Sequence, residues 1–249
     1  MLLAVDIGNT STKFGIYDDE DLVSRFSIPT FRDQGQNALQ KEIGPSLVHP
    51  VSKAIVCSVV PCAAAAVIEF LRKKQVSTLQ ASNDLDYGLT VRYEPLSALG
   101  TDRLVNALAA VEKYGAPAIV CSFGTATTMD VIDAKRVFLG GIIAPGIKTA
   151  ARALKLNTAE LPDISIEKPG RLIGNTTESA IRSGIILGHV AMIEGLIQRL
   201  TAEIKVNPVV IATGGFATLV AGMTKLIDTV DENLTLDGLR ILNDRIAHE

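Results

Sequence analysis

Leu3-Ala4-Val5-Asp6-Ile7-Gly8-Asn9-Thr10-Ser11-Thr12-Lys13-Phe14-Gly15-Ile16-Tyr17 runs a short apolar strand into a carboxylate and a polar turn, then into a second strand. It reads as a phosphate-binding hairpin. Asp6 stands where the first strand ends, Gly8 lets the backbone approach an anion closely, and amides and hydroxyls from Asn9 to Thr12 can point into one turn. An ordinary β-hairpin with a Gly-Asn turn fits the same letters. The balance shifts at Cys121-Ser122-Phe123-Gly124-Thr125-Ala126-Thr127-Thr128-Met129-Asp130, where an apolar strand, Pro117 to Cys121, meets a Gly-Thr turn and another strand follows. Two such hairpins, one in each half, predict two similar lobes facing one nucleotide.

Around these hairpins the composition narrows the class. Of 249 residues, 47% are hydrophobic and 20% charged, which supplies the core of one large domain or two modest ones. A net charge of -3 and the lack of basic runs interleaved with aromatics argue against a nucleic-acid surface. Arg72-Lys73-Lys74 is a short cationic run that suits a helix C-terminus. Cys57, Cys62 and Cys121 show no zinc-ligand spacing, read as small core residues, and as an odd set suit a reducing compartment, the cytoplasm. His49, His189 and His248 form no cluster with Cys or Asp that would indicate a transition metal or a triad. No leader pattern opens the chain, and the uncharged stretch Val206 to Thr224 is broken by Asn207, Pro208 and Gly214-Gly215, so it reads as strand, turn and helix rather than a membrane span.

Asp21 to Ser27 supplies a third strand and Arg32 to Ile43 a surface helix. Val51 to Val59 suits a central strand, and Pro61 opens a helix running to Lys74. The helix after Gly100 carries Leu104, Val105, Leu108, Ala109 and Val111 on one side and is ended by Gly115 and Pro117. The first lobe is therefore expected over 1–115 and the second over 116–249. The order then begins again, with strands around Pro117–Cys121, Thr128–Ile132 and Val137–Ile143, and helices after Pro145 and Thr177. Thr177 to Ile204 predicts one long helix with Gly184, Gly188 and Gly195 as weak points, packed either on a second subunit or within its own lobe.

Five elements stand in order: Asp6-Ile7-Gly8-Asn9-Thr10, Gly100-Thr101-Asp102-Arg103, Ser122-Phe123-Gly124-Thr125-Ala126-Thr127-Thr128, Gly140-Gly141-Ile142-Ile143-Ala144-Pro145-Gly146, and Asn175-Thr176-Thr177-Glu178-Ser179-Ala180-Ile181. Together they resemble type III pantothenate kinase over nearly the whole chain. The resemblance implies an α/β fold of two ribonuclease-H-like lobes, as in acetate and sugar kinases, heat-shock ATPases and actin. It also implies transfer of the ATP γ-phosphoryl group to pantothenate, the first step of coenzyme A synthesis, by a homodimer with substrate sites near the subunit interface.

That chemistry needs positioning and charge neutralisation more than covalent help. The resemblance assigns ATP phosphates to Asp6, Ile7, Gly8, Asn9, Thr10, Ser11, Thr12 and Lys13, and nucleotide contact to Thr125. Asp6 is suited to orient Mg²⁺ through water. Lys13 suits phosphate neutralisation, or else it is a solvent-facing strand residue. Asp102 takes the family's general-base position, while its plain alternative is a helix cap. Tyr93, Gly100, Thr101, Asp102, Arg103 and Thr177 match the pantothenate contacts; Arg103 alternatively forms a structural ion pair, Thr177 a helix N-cap, and Thr125 an ordinary turn. Where the family carries an aspartate for a monovalent cation, K⁺ or NH₄⁺, this chain has Ser122, which lacks the charge. That departure keeps open a weakened relative serving as a nucleotide-binding regulatory protein. Another small-molecule kinase on the same fold is the third reading.

Overall fold

The computed structural model describes residues 1–31, 41–47, 49–158 and 161–247. The surface helix expected over Arg32–Ile43 falls outside these, except for its last three residues, which are helical. The described chain divides into two compact units, Met1–Glu112 with Asn233–Glu249, and Lys113–Glu232.

In the first unit, β1 (Leu2–Ile7), β2 (Ser11–Asp18), β3 (Asp21–Pro29), β4 (Lys53–Ser58) and β5 (Ser77–Gln80) form one sheet in the order β3-β2-β1-β4-β5. β1 is antiparallel to β2 and parallel to β4, and β4 is parallel to β5. A strand buried on both faces needs apolar residues throughout, and Leu3, Ala4, Val5 and Ile7 are fully buried. Leu3, Val5 and Ile7 join the core formed with helix α1 (Pro61–Lys73), which contributes Ala63, Ala64, Val67, Phe70 and Leu71. Burying each large side chain contributes about 1.5–3 kcal/mol. Alternation sends Asp6 to the opposite face. Pro61 opens α1, and Arg72 near its end pairs with Glu69, as expected of a solvated cationic run. Helix α2 (Thr101–Tyr114) is buried along most of its length, from Arg103 to Val111.

In the second unit, β6 (Ala118–Phe123), β7 (Ala126–Ile132), β8 (Val137–Pro145), β9 (Val209–Thr213) and β10 (Thr229–Val230) run in the order β10-β9-β6-β7-β8. Three antiparallel strands followed by two parallel ones repeat the order of the first unit. Helices α3 (Ile147–Asn157), α4 (Thr177–Ile204) and α5 (Ala217–Ala221) complete the unit. Ile186, Val190, Ile193 and Ile197 of α4 pack on Ile119, Cys121, Met129 and Val210. His189 lies in the same face, within 3.0 Å of Thr127 Oγ1, and burial holds its pKa below the ordinary value. The helix is long and apolar enough to cross a membrane by length and composition, but this stripe belongs to the core of its own unit.

The division differs from the expected 1–115 and 116–249 at the C-terminus. Helix α6 (Leu234–Ala247) buries Leu234, Leu236, Leu239 and Leu242 and packs on β1, β2 and β4. Tyr17 donates to Asp237 Oδ1 at 2.7 Å, and Thr235 donates to Asn106 Oδ1 at 2.8 Å. A Cβ on Gly238 would overlap the Val105 carbonyl, so α6 crosses α2 at backbone distance. The cysteine expectation also needs one correction: Cys57 and Cys121 are buried, but Cys62, at the second position of α1, is exposed.

Candidate functional site

The first unit builds its site where β1 ends. Gly8 N–H donates to Ser11 O at 3.1 Å, closing a tight turn, and a Cβ on Gly8 would stand 3.2 Å from that oxygen. Thr30, just after β3, braces the turn. Its N–H donates to Thr10 O at 3.0 Å and its hydroxyl donates to Gly8 O at 2.7 Å. The remaining partner, Thr12 Oγ1 at 3.1 Å, then donates to Thr30. Thr12 is thus turned inward and buried rather than toward an anion, and Ile7 offers only its backbone because its side chain is in the core. Asn9 and Thr10 are exposed at the tip, with Ser11 beside them.

Asp6 and Lys13 are cross-strand partners, with Nζ 4.0 Å from Oδ2. Burial pushes the Asp6 carboxyl up to about 6, Lys13 lowers it, and Asp102 raises it. Lys13 therefore only partly balances the buried anion, and Asp6 and Asp102 are close enough to repel.

Asp102 occupies the first turn of α2, where a helix N-terminus ordinarily lowers a carboxyl pKa. Burial wins and raises it, against the opposing pull of the Arg103 amide, the Arg103 charge and its own amide. Glycine at position 100 makes room, since a Cβ there would stand 2.6 Å from Asp102 Oδ1. Arg103 is 6% exposed, with its guanidinium 5.3 Å from the centre of the Tyr93 ring. The first unit thus brings Asp6, Lys13 and Asp102 together, and joins Tyr93 to Arg103.

The second unit places the Gly124–Thr125 turn between two backbone neighbours. Gly124 N–H donates to Ala126 O at 3.0 Å, and Thr125 O accepts from Gly146 N at 3.1 Å and Thr149 Oγ1 at 2.6 Å. A Cβ on Gly146 would overlap Gly124 O, and Gly214, with φ +91°, lies against Phe123 in the same manner. Ser122 is half-buried and in register with Thr128 and Thr213, a row of neutral hydroxyls. Thr177 is exposed as the first residue of α4. The cap is Thr176, whose side chain accepts from Ser179 N at 3.1 Å, so the N-cap reading of Thr177 is corrected by one position.

A family profile for type III pantothenate kinase matches residues 2–199. A type III pantothenate kinase of Thermomicrobium roseum is 41% identical over 254 residues, covering 99% of this chain and 98% of the relative. This chain belongs to the type III pantothenate kinase family. Solved structures of low identity agree in fold. Component A of the (R)-2-hydroxyglutaryl-CoA dehydratase of Acidaminococcus fermentans has a TM-score of 0.57 at 12% identity, covering 100% of this chain and 99% of its own. The ROK hexokinase of Thermus thermophilus has 0.51 at 13%, covering 97% of each. The fold is that of the acetate and sugar kinases.

Within this pantothenate kinase, three supporting residues escaped the sequence reading. Thr30 braces the first hairpin from just beyond the end of β3. Asp130 is wholly buried, and Gly141 opposite it leaves the space, since a Cβ there would stand 2.8 Å from Oδ1. Asn83 holds the turn before Asp102. Of the three, only Asp130 carried a signal, as a lone carboxylate inside β7, between Met129 and Val131.

Proposed function

We propose that this kinase transfers the γ-phosphoryl group of ATP to the primary hydroxyl of pantothenate, with Asp102 as general base. The hydroxyl oxygen forms the new bond to phosphorus, the bond from phosphorus to the β–γ bridging oxygen breaks, and ADP leaves. The hydroxyl proton goes to the Asp102 carboxylate. The observation that carries this reading is a buried carboxylate of raised pKa in the first turn of α2, beside Asp6 and next to the Tyr93–Arg103 pair. Gly100 and Thr101 shape that turn, Arg103 and Tyr93 serve the pantothenate carboxylate and chain, and Thr177 adds a hydroxyl. Asn9, Thr10, Ser11, Lys13 and Thr125 serve the nucleotide. ADP release that requires both Mg²⁺ and pantothenate supports the assignment; equal release without pantothenate would overturn it.

Asp6 fits Mg²⁺. It is a buried anion only partly balanced by Lys13, and among the described residues no group of three or more His, Cys, Asp or Glu could chelate an ion directly. A single carboxylate of this kind suits a hydrated cation held through water. When bound, the ion neutralises phosphate charge.

Gly100→Ala tests the carboxylate's placement. The nearest atom to the new Cβ is Asp102 Oδ1 and the next are 3.8 Å away, so the side chain swings aside while the backbone stays. The expected result is a kcat loss of more than about tenfold with little change in melting temperature, read by kinetics and thermal unfolding.

Ser122 points to a kinase that does not depend on K⁺ or NH₄⁺. The expected turnover is alike in Na⁺, K⁺ and NH₄⁺ buffers, and Ser122→Asp is expected to introduce K⁺ activation. Strong K⁺ activation unaltered by the substitution would contradict this reading.

A homodimer is the family's implied assembly, and the outer face of α4 suits it. Ala180, Gly184, Gly188 and Ala191 are exposed, and a Cβ on Gly184 or Gly188 meets nothing within 4 Å. Leu172 and Ile173, 72% and 81% exposed, precede the same helix. Sedimentation is expected to show a dimer that Gly188→Arg dissociates without loss of fold; a dimer indifferent to that change would refute this face. The thiols Cys57, Cys62 and Cys121 form no disulfide, which accords with a cytoplasmic setting.

A further inference from the structure

Asn83 lies in the loop after β5, and both amide donors and one acceptor site of its oxygen are spent on the segment leading into α2. Its Nδ2 donates to the carbonyl oxygens of Leu96 at 2.7 Å and Leu99 at 2.9 Å, and its Oδ1 accepts from Thr101 Oγ1 at 3.0 Å. These partners fix the orientation of the amide, because the flipped group would set an oxygen against two carbonyls. Leu96–Ala98 is a single 3-10 turn, closed by Ala98 N to Pro95 O at 3.0 Å and Leu99 N to Leu96 O at 3.1 Å. Asn83 therefore grips the chain on both sides of Gly100, at residue 99 before it and residue 101 after it. Gly100 needs that grip. Without a Cβ it leaves room for the Asp102 carboxylate, but it also imposes little restraint on its own backbone.

We propose that Asn83 is a positioning residue for phosphoryl transfer, fixing the Gly100–Arg103 turn and with it the direction of the Asp102 carboxylate. The proposal rests on the reading of Asp102 as general base. An amide suits the place better than its isosteres. A carboxylate would repel both carbonyls and add a third anion to the neighbourhood of Asp6 and Asp102, and an alkyl group would bond none of the three partners.

The test is a double-mutant cycle of Asn83→Ala with Asp102→Asn, followed by single-turnover kinetics so that weak residual rates are measurable, with binding of a non-hydrolysable ATP analogue in parallel. The expected result is a rate loss of about ten- to a hundredfold for Asn83→Ala in the parent, analogue affinity unchanged, and almost no further loss in the Asp102→Asn background. A residue that only stabilises the loop would lower both backgrounds equally, and that outcome overturns the proposal. So does full activity of Asn83→Ala when Asp102→Asn is impaired, which leaves the base assignment standing. Full activity of Asp102→Asn would instead remove the base reading itself. Should Asn83→Ala not fold, Asn83→Ser, which keeps a single donor, enters the same cycle with an intermediate loss expected.

Discussion

Asp102→Asn is expected to lower the rate of pantothenate phosphorylation by about 10²–10⁴-fold while leaving ATP binding intact. The substitution keeps size and hydrogen-bonding capacity but removes the proton acceptor. Burial raises the Asp102 pKa despite its place at a helix N-terminus and beside Arg103. A base of raised pKa holds a transferred proton better, and it also loses activity at a higher pH than an ordinary carboxylate. As pH falls through that raised pKa the base becomes protonated, so kcat/KM is expected to fall there on its acid side. The share of this limb that belongs to Asp102 should vanish in Asp102→Asn, leaving the part set by Asp6, whose pKa is also raised. A variant rate within about tenfold of the parent would be too small a loss for a general base.

Asp6→Asn is expected to cost about a hundredfold or more in Mg²⁺-dependent turnover and yet to yield a more stable apoprotein. Asp6 is 14% exposed and its pKa rises from 3.8 to about 6, chiefly through burial. Because the folded-state value lies above the unfolded one, folding disfavours the ionised form. The cost is complete above about pH 6 and shrinks as the pH falls toward 3.8, below which both states are protonated. At pH 8 it amounts to about 3 kcal/mol, at roughly 1.4 kcal/mol per pKa unit. That cost is what remains after Lys13, 4.0 Å away, has offset part of the burial penalty. In a chelator at pH 8 the variant should melt several degrees above the parent, and the two should converge near pH 4. An equal or lower melting temperature at pH 8 would refute this account of Asp6.

Both hairpins were legible in the sequence because each is local. An apolar strand, a Gly turn and a returning strand lie within one short stretch, and β1–β2 and β6–β7 form there. Pro61 opening α1 and the break after Tyr114 are likewise local signals. Helix α6 was not legible as part of the first unit, because its apolar Leu234, Leu236, Leu239 and Leu242 would suit either lobe. Its placement depends on residues more than a hundred positions away, Asn106 and Tyr17 among them. The site divides in the same way. Asp6 and Asp102 stand in recognisable turns, whereas Thr30 and Asn83 act through bonds to carbonyls that no sequence pattern announces. Thr12 looked like an anion ligand because the hairpin motif is written in hydroxyls, but strand alternation turns it inward to Thr30.

The measurement that bears most directly on the central claim is identification of the phosphorylated product by ³¹P NMR and mass spectrometry, with ATP, Mg²⁺ and either pantothenate or a hexose as acceptor. The expected result is 4′-phosphopantothenate, formed with one ADP per product and absent with Asp102→Asn, and no hexose phosphate. Hexose phosphate in place of 4′-phosphopantothenate, or ADP and free phosphate without any phosphorylated acceptor, would contradict it.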